Sequence, residues 1–137
     1  MKVRIPKPTM ILLYLPDDVP DSDLIRVALR RENLPFFELS AQQLKLTVQE
    51  CFEGREASSL AENAPGEAMA VFCNLSDAQL DTALSALRGL PVGLKAIMTP
   101  TNRSWSMISL YEELCREREA IRRQRGQKAQ EFQQHGD

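Results

Sequence analysis

With one histidine in 137 residues, His135 near the end of the chain, there is little material for proton-transfer chemistry. Histidine-based triads, proton shuttles and the usual zinc sites are excluded on that ground. Cysteine is equally sparse. Cys51, Cys73 and Cys115 are odd in number, widely spaced and free of any CxxC, which argues against a disulfide framework. Cys73, inside Val71-Phe-Cys-Asn74, reads as a small buried hydrophobe. Glycine numbers only six and never clusters into a phosphate-cradling loop. No apolar run approaches the roughly 20 residues needed to cross a bilayer. Met10–Leu15 is too short for a signal-peptide core, and the basic start before it is interrupted by Pro6 and Pro8. A net charge of −2 gives no overall attraction to nucleic acid or an anionic membrane. These absences predict a cytoplasmic protein with no catalytic residues, no metal and no cofactor.

What is present suits one compact domain. A hydrophobic fraction of 43% and a charged fraction of 26% are ordinary globular values, and the length allows a real core without staples. Thr9–Leu15 is a nearly continuous apolar run, the mark of a covered strand. Asp21 then offers a helix cap, Leu24, Ile25, Ala28 and Leu29 form one apolar stripe, and Asn33 with Pro35 stops the helix. Phe36–Leu39 is the second strand, and Ala41–Phe52 reads as a helix presenting Leu44, Val48, Cys51 and Phe52, closed by Gly54.

Arg55–Glu67 is polar, with Pro65-Gly66 as turn punctuation, and reads as an exposed, mobile loop. Ala68–Cys73 is the third strand. Ser76 with Gln79 makes a capping box ahead of a helix whose stripe is Leu80, Ala83, Leu84 and Leu87, ended by Gly89. Leu94–Met98 is the fourth strand. Ser106 caps a last helix with Met107, Leu110, Tyr111, Leu114 and Ile121 on its apolar face. From Arg122 the periodicity is lost, so residues 1–125 are expected to form the domain and 126–137 a disordered polar tail.

The two halves read alike. Asp21, Leu24, Leu34 and Pro35 match Asp77, Leu80, Leu90 and Pro91 at one constant offset. Duplication and chance both remain open, because helix starts favour Asp and helix ends favour Pro. Two βαβ-like halves predict an α+β domain with a four-stranded, ferredoxin-like sheet and a long C-terminal helix. The alternative is a small doubly wound parallel α/β sheet.

From Val71 to about Ala120 the pattern is distinctive. An apolar strand leads into Asn74-Leu-Ser-Asp-Ala-Gln-Leu-Asp81, followed by Ala86-Leu-Arg88, Leu90-Pro91 and Leu94-Lys-Ala96. Thr99-Pro-Thr-Asn102, Trp105 and Leu110-Tyr-Glu-Glu-Leu114 complete it. This stretch resembles a bacterial family catalogued as a domain of unknown function, number 3783. The family implies no established activity.

Function then rests on the turn after the fourth strand. Strand-to-helix turns of this kind expose backbone N–H groups where α/β proteins hold ligands. As a joint, Pro100 fixes the backbone while Thr101 or Asn102 bonds nearby amides. As a site, Lys95, Thr99, Thr101, Asn102, Arg103 and Trp105 hold an anionic group or stack on a partner. Trp105 has two readings of its own, a core anchor for the last helix or an exposed aromatic. The paired acids Asp17/Asp18, Asp21/Asp23, Asp77/Asp81 and Glu112/Glu113 sit at turns and helix starts, where capping and solvation account for them.

Arg116, Arg118, Arg122, Arg123, Arg125 and Lys128 interleave with Glu113, Glu117 and Glu119, a solvated helix rather than a nucleic-acid contact. Two functions of different class follow. One is a binding or regulatory domain with a ligand at Thr99–Trp105. The other is a protein-interaction module, self-associating as a homo-oligomer through a sheet edge or the last helix.

Overall fold

The computed structural model describes residues 8–57 and 64–134. Strands β1 (Met10–Tyr14), β2 (Phe36–Leu39), β3 (Met69–Cys73) and β4 (Leu94–Ile97) form one sheet in the order β2-β1-β3-β4. β1–β2 and β3–β4 are parallel, and the central pair β1–β3 is antiparallel. Helices α1 (Ser22–Arg31) and α3 (Asp77–Leu87) make the two crossovers. They cover one face, packing Ile25, Leu29, Ala83 and Leu87 on Ile11, Leu13, Ala70 and Phe72. The short helix α2 (Val48–Phe52) and the long α4 (Met107–Gln134) cover the other face, over Leu12, Tyr14, Met69, Val71 and Cys73. Side chains alternate across each strand, so both faces of β1 and β3 are buried. Their nearly unbroken apolar sequences follow from that.

The α+β class, the two βαβ halves and the long last helix are as the sequence predicts. The strand order adds detail. In each half the two strands are direct neighbours, whereas the split βαβ units of a strict ferredoxin-like sheet interleave them. A wholly parallel doubly wound sheet is excluded by the antiparallel β1–β3 ladder.

The halves superpose in register. Ile11↔Phe36, Leu12↔Phe37 and Leu13↔Glu38 recur as Ala70↔Lys95, Val71↔Ala96 and Phe72↔Ile97, each residue 59 further along. The buried helix residues Ile25 and Leu29 recur 58 further along as Ala83 and Leu87. The offset that aligns Asp21, Leu24, Leu34 and Pro35 with the second half is therefore not the structural one. Asp21 sits before α1 with φ 59° and no side-chain cap, so it does not cap as expected, whereas Asp77 is the first residue of α3. Leu24 is exposed.

Residues one repeat apart also meet at the centre. Leu12 pairs with Val71 in the β1–β3 ladder, and Thr47 bridges Ser106. The Val48 N–H donates to the Trp105 carbonyl (2.9 Å) and the Met107 N–H to the Leu46 carbonyl (2.8 Å). The first N–H of each helix is an orphan by geometry, and each finds its acceptor in the other half. This bridge corrects the single helix expected over Ala41–Phe52. A 3-10 turn at Ala41–Lys45, capped by Ser40, gives way to extended residues, and α2 restarts at a second capping box, Thr47 with Glu50. The backbone at Leu46 and Thr47 is extended because it pairs with the other half.

Two further expectations are revised or bounded. The helix runs on to Gln134, so residues 126–134, expected as tail, are helical, and 135–137 lie outside the described residues. The loop expected over Arg55–Glu67 is described only in part, 58–63 lying outside the described residues. At its end Tyr14 donates to the Pro65 carbonyl (2.6 Å), the Glu67 N–H donates to the Tyr111 hydroxyl (3.1 Å), and the Glu67 carboxylate forms a two-pronged pair with Arg118. A Cβ at Gly93 would meet the end of the Glu67 side chain, which would have to shift to make room for it.

Leu12→Ala, at the pseudo-twofold centre and 1% exposed, should cost about 3–4 kcal/mol by urea unfolding. The Arg118 guanidinium holds the Glu67 carboxyl below its ordinary 4.5. The pair therefore stabilises the fold fully above that value, and its contribution disappears as pH falls through the depressed one. Glu67→Gln should flatten the acid limb of the melting temperature against pH and leave the slope above pH about 6 unchanged.

Candidate functional site

β4 is an edge strand, and its hydrogen bonds define which groups are available. The Leu94 N–H donates to the Ala68 carbonyl (3.3 Å) and the Met98 N–H to the Phe72 carbonyl (2.9 Å). Even-numbered residues thus face β3, and the backbone groups of Lys95 and Ile97 face outward. Beside this edge runs a groove of about 490 Å³. Leu80 and Leu84 of α3 form one wall, and Leu110, Glu113, Leu114 and Glu117 of α4 the other. Thr99, Thr101, Asn102 and Trp105 close one end. Three of its apolar side chains stand in solvent: Ile97 is 51%, Leu84 38% and Trp105 37% exposed.

Five of the six candidate residues line this groove: Lys95, Thr99, Thr101, Asn102 and Trp105. Arg103 does not, because its Nε donates to Gln49 Oε1 (3.2 Å) on α2. Asn102 is buried and engaged within the turn. Its Oδ1 accepts from the Thr99 N–H (2.8 Å), its Nδ2 donates to the Ile97 carbonyl (2.9 Å), and its own N–H donates to Thr99 Oγ1 (3.1 Å). Thr101 is exposed and does not cap. The Trp105 ring lies on the surface, while its backbone carbonyl carries the structural contact to α2.

The same turn recurs one repeat earlier. The Ser40 N–H donates to Gln43 Oε1 (2.8 Å) and the Gln43 N–H to Ser40 Oγ (3.4 Å). Gln43 and Asn102 are the two buried polar residues among those described. Gln43 has one methylene more, and its Nε2 donates to the Arg55 carbonyl (2.8 Å) where Asn102 caps the edge strand.

Sequence reasoning missed Leu84, Ile97, Glu113 and Glu117. Leu84 fits an apolar stripe and so reads as core. Only the repeat register separates it from Ala83 and Leu87, which are buried. Two of the three thiols, Cys51 and Cys73, are buried. Burial pushes Cys51 up to about 12, with Glu50 adding to the rise. Burial also pushes Cys73 up to about 12, with Cys51 adding. Neither is a thiolate at neutral pH. Among the described residues no group of His, Cys, Asp and Glu is placed to hold a metal, and no helix is long and apolar enough to cross a membrane.

The described residues form a small α+β domain whose edge strand β4 is flanked by the groove. Residues 68–121 match the family model described as Domain of unknown function (DUF3783), which bears out the resemblance read from 71 to 120. The match spans β3, α3, β4 and much of α4, the half that contains the groove. No curated protein and no solved structure matches the chain.

Asn102→Ala strips partners from the Thr99 N–H and the Ile97 carbonyl and should cost about 2 kcal/mol in urea unfolding. Trp105→Ala should cost less, about 1 kcal/mol, because the ring is only partly buried. The reverse order would restore Trp105 as a core anchor.

Proposed function

We propose that this chain is a polypeptide-binding module, not an enzyme, and that the β4 edge with its flanking groove receives an extended segment of a protein chain. One comparison within the molecule carries the reading. At the β2 edge, Arg26 forms a two-pronged pair with Glu38 (Nη2–Oε1 2.7 Å, Nε–Oε2 3.0 Å), and Asp23 joins it through Nη1 (2.6 Å). Charged side chains of this kind blunt a sheet edge against further pairing. The repeat equivalents of Arg26 and Glu38 are Leu84 and Ile97, an exposed apolar pair. At these two positions the β2 edge is guarded and the β4 edge is bare, although Lys95 stands beside Ile97 on β4 and Phe37 is 38% exposed on β2.

A bare edge offers main-chain donors and acceptors for affinity, and its apolar flanks offer selectivity for alternate side chains. The outward groups are the Lys95 N–H and carbonyl and the Ile97 N–H, with the Ile97 carbonyl shared with Asn102. The other reading, a small anionic ligand at Thr99–Trp105, retains Lys95, Thr99, Thr101 and Trp105. Asn102 and Arg103 already have partners within the chain.

The double variant Leu84→Arg/Ile97→Glu copies the guarded edge onto the bare one. Both positions are exposed, so its melting temperature should stay within a few degrees of the parent. Peptides selected on the parent from a displayed random library should be apolar and β-prone. They should bind the double variant at least about tenfold more weakly, as loss of strand pairing requires. Selected peptides that bind both proteins equally, or a library that yields none, would remove the edge as a docking site.

A further inference from the structure

We infer that the occupant of the β4 edge is a second copy of this chain, joined by a twofold axis that pairs β4 with β4 and sets the two α4 helices antiparallel; this rests on the edge-docking reading above. The first argument is closure. A polymer needs two adhesive edges on each chain, and here the β2 edge carries the charged side chains of Arg26, Glu38 and Asp23. Pairing bare edge with bare edge consumes both, leaves guarded edges outermost, and stops at two chains as an eight-stranded sheet.

The second argument is charge. α4 runs alongside β4 in the opposite direction. Leu110 and Glu113 lie with Ile97–Thr101, while Ile121, Arg122 and Arg125 lie with Gly93–Lys95. Along the side of the helix that lines the edge, Glu113 and Glu117 come before Arg122 and Arg125, while Arg116 is paired with Glu113 and Arg118 with Glu67. A twofold axis near Ala96 places the Glu113–Glu117 stretch of one helix beside the Arg122–Arg125 stretch of the other, in both directions at once. A parallel pairing would set like charges together. Exposed Ile121, 49% accessible, then gains apolar cover between the helices.

The third argument is backbone matching. With Ala96 near the axis, Lys95 stands opposite Ile97 of the second copy. The outward N–H and carbonyl of each then face their complements. The Ile97 carbonyl keeps a lone pair beyond the one that Asn102 uses.

Sedimentation equilibrium of the full chain from about 1 µM to about 500 µM tests this over the range in which modest interfaces assemble. The mass should rise from 15.5 kDa toward twice that value. Leu84→Arg/Ile97→Glu should hold it at 15.5 kDa. Glu117→Arg should raise the dimer dissociation constant about tenfold at low salt, and Glu117→Arg/Arg122→Glu should restore it, because each reversed charge again meets its opposite. A mass fixed at 15.5 kDa throughout overturns the self-pairing, and the peptide selection then judges edge docking separately. A dimer that survives the double edge variant, or a charge swap that fails to restore association, likewise overturns it.

Discussion

Everything in this molecule is referred to the joint between its two halves. Leu12 against Val71 and Thr47 against Ser106 put residues one repeat apart face to face, so a single pseudo-twofold axis passes through the sheet and through the helix starts above it. Neither half has a closed core of its own. A parallel βαβ unit leaves one strand face to be covered, and here α2 and α4 are positioned by backbone bonds that each takes from the opposite half. The helix N-termini, where unsatisfied donors are unavoidable, are the points at which the halves are joined. Buried apolar area supplies most of the stabilisation, and the paired N–H groups of Val48 and Met107 fix the register at which it is buried.

A shared frame makes departures from symmetry informative. Gln43 and Asn102 occupy equivalent buried positions and hold equivalent turns, yet one amide reaches the backbone after α2 and the other caps the edge strand. The two helices they precede begin at equivalent positions and end differently. α2 stops after five residues at Gly54, whose φ of 82° suits a residue without a Cβ, while α4 continues for 28. The largest chemical change is at Arg26/Glu38 and Leu84/Ile97. The first pair is a solvated salt bridge whose value to stability is small. Its consequence for association is large, because it decides whether a strand edge can accept another strand.

Much of this was legible before the structure. Apolar runs marked β1 and β3, Phe36–Leu39 was bounded correctly, and Ser76 with Gln79 announced α3. These signals are local, and local signals survive in a single sequence. The break at Leu46–Thr47 was not legible, because nothing nearby opposes a helix there. It exists because those residues pair with Trp105 and Ser106, far away in the chain. The repeat was sensed in the wrong register for a similar reason. Asp and Pro recur wherever helices start and stop, whereas the true equivalences are ladder positions that carry different side chains: Ile11 and Ala70, Phe36 and Lys95, Glu38 and Ile97. Of the candidate residues that one turn brings together in the sequence, Lys95, Thr99, Thr101, Asn102 and Trp105 line one groove. Arg103 does not, because a 3-10 turn points it toward α2.

The groove itself was hidden because its walls are made of ordinary residues. An exposed leucine on a helix is unremarkable taken alone. Leu84 becomes significant only beside Ile97, along a strand whose outward side pairs with no other strand among the described residues, and in a molecule that places charge at the equivalent edge positions. The two βαβ halves supply an internal control: two edges built on one topology, subject to one set of steric rules, and finished differently. The half with the apolar edge pair is also the half with the long final helix, whose groove-lining side sets Glu113 and Glu117 before Arg122 and Arg125. Edge and helix lie side by side, so one event can cover both. On the proposed pairing, the β4 edge and α4 belong to one surface, and a substitution at either should be felt at the other.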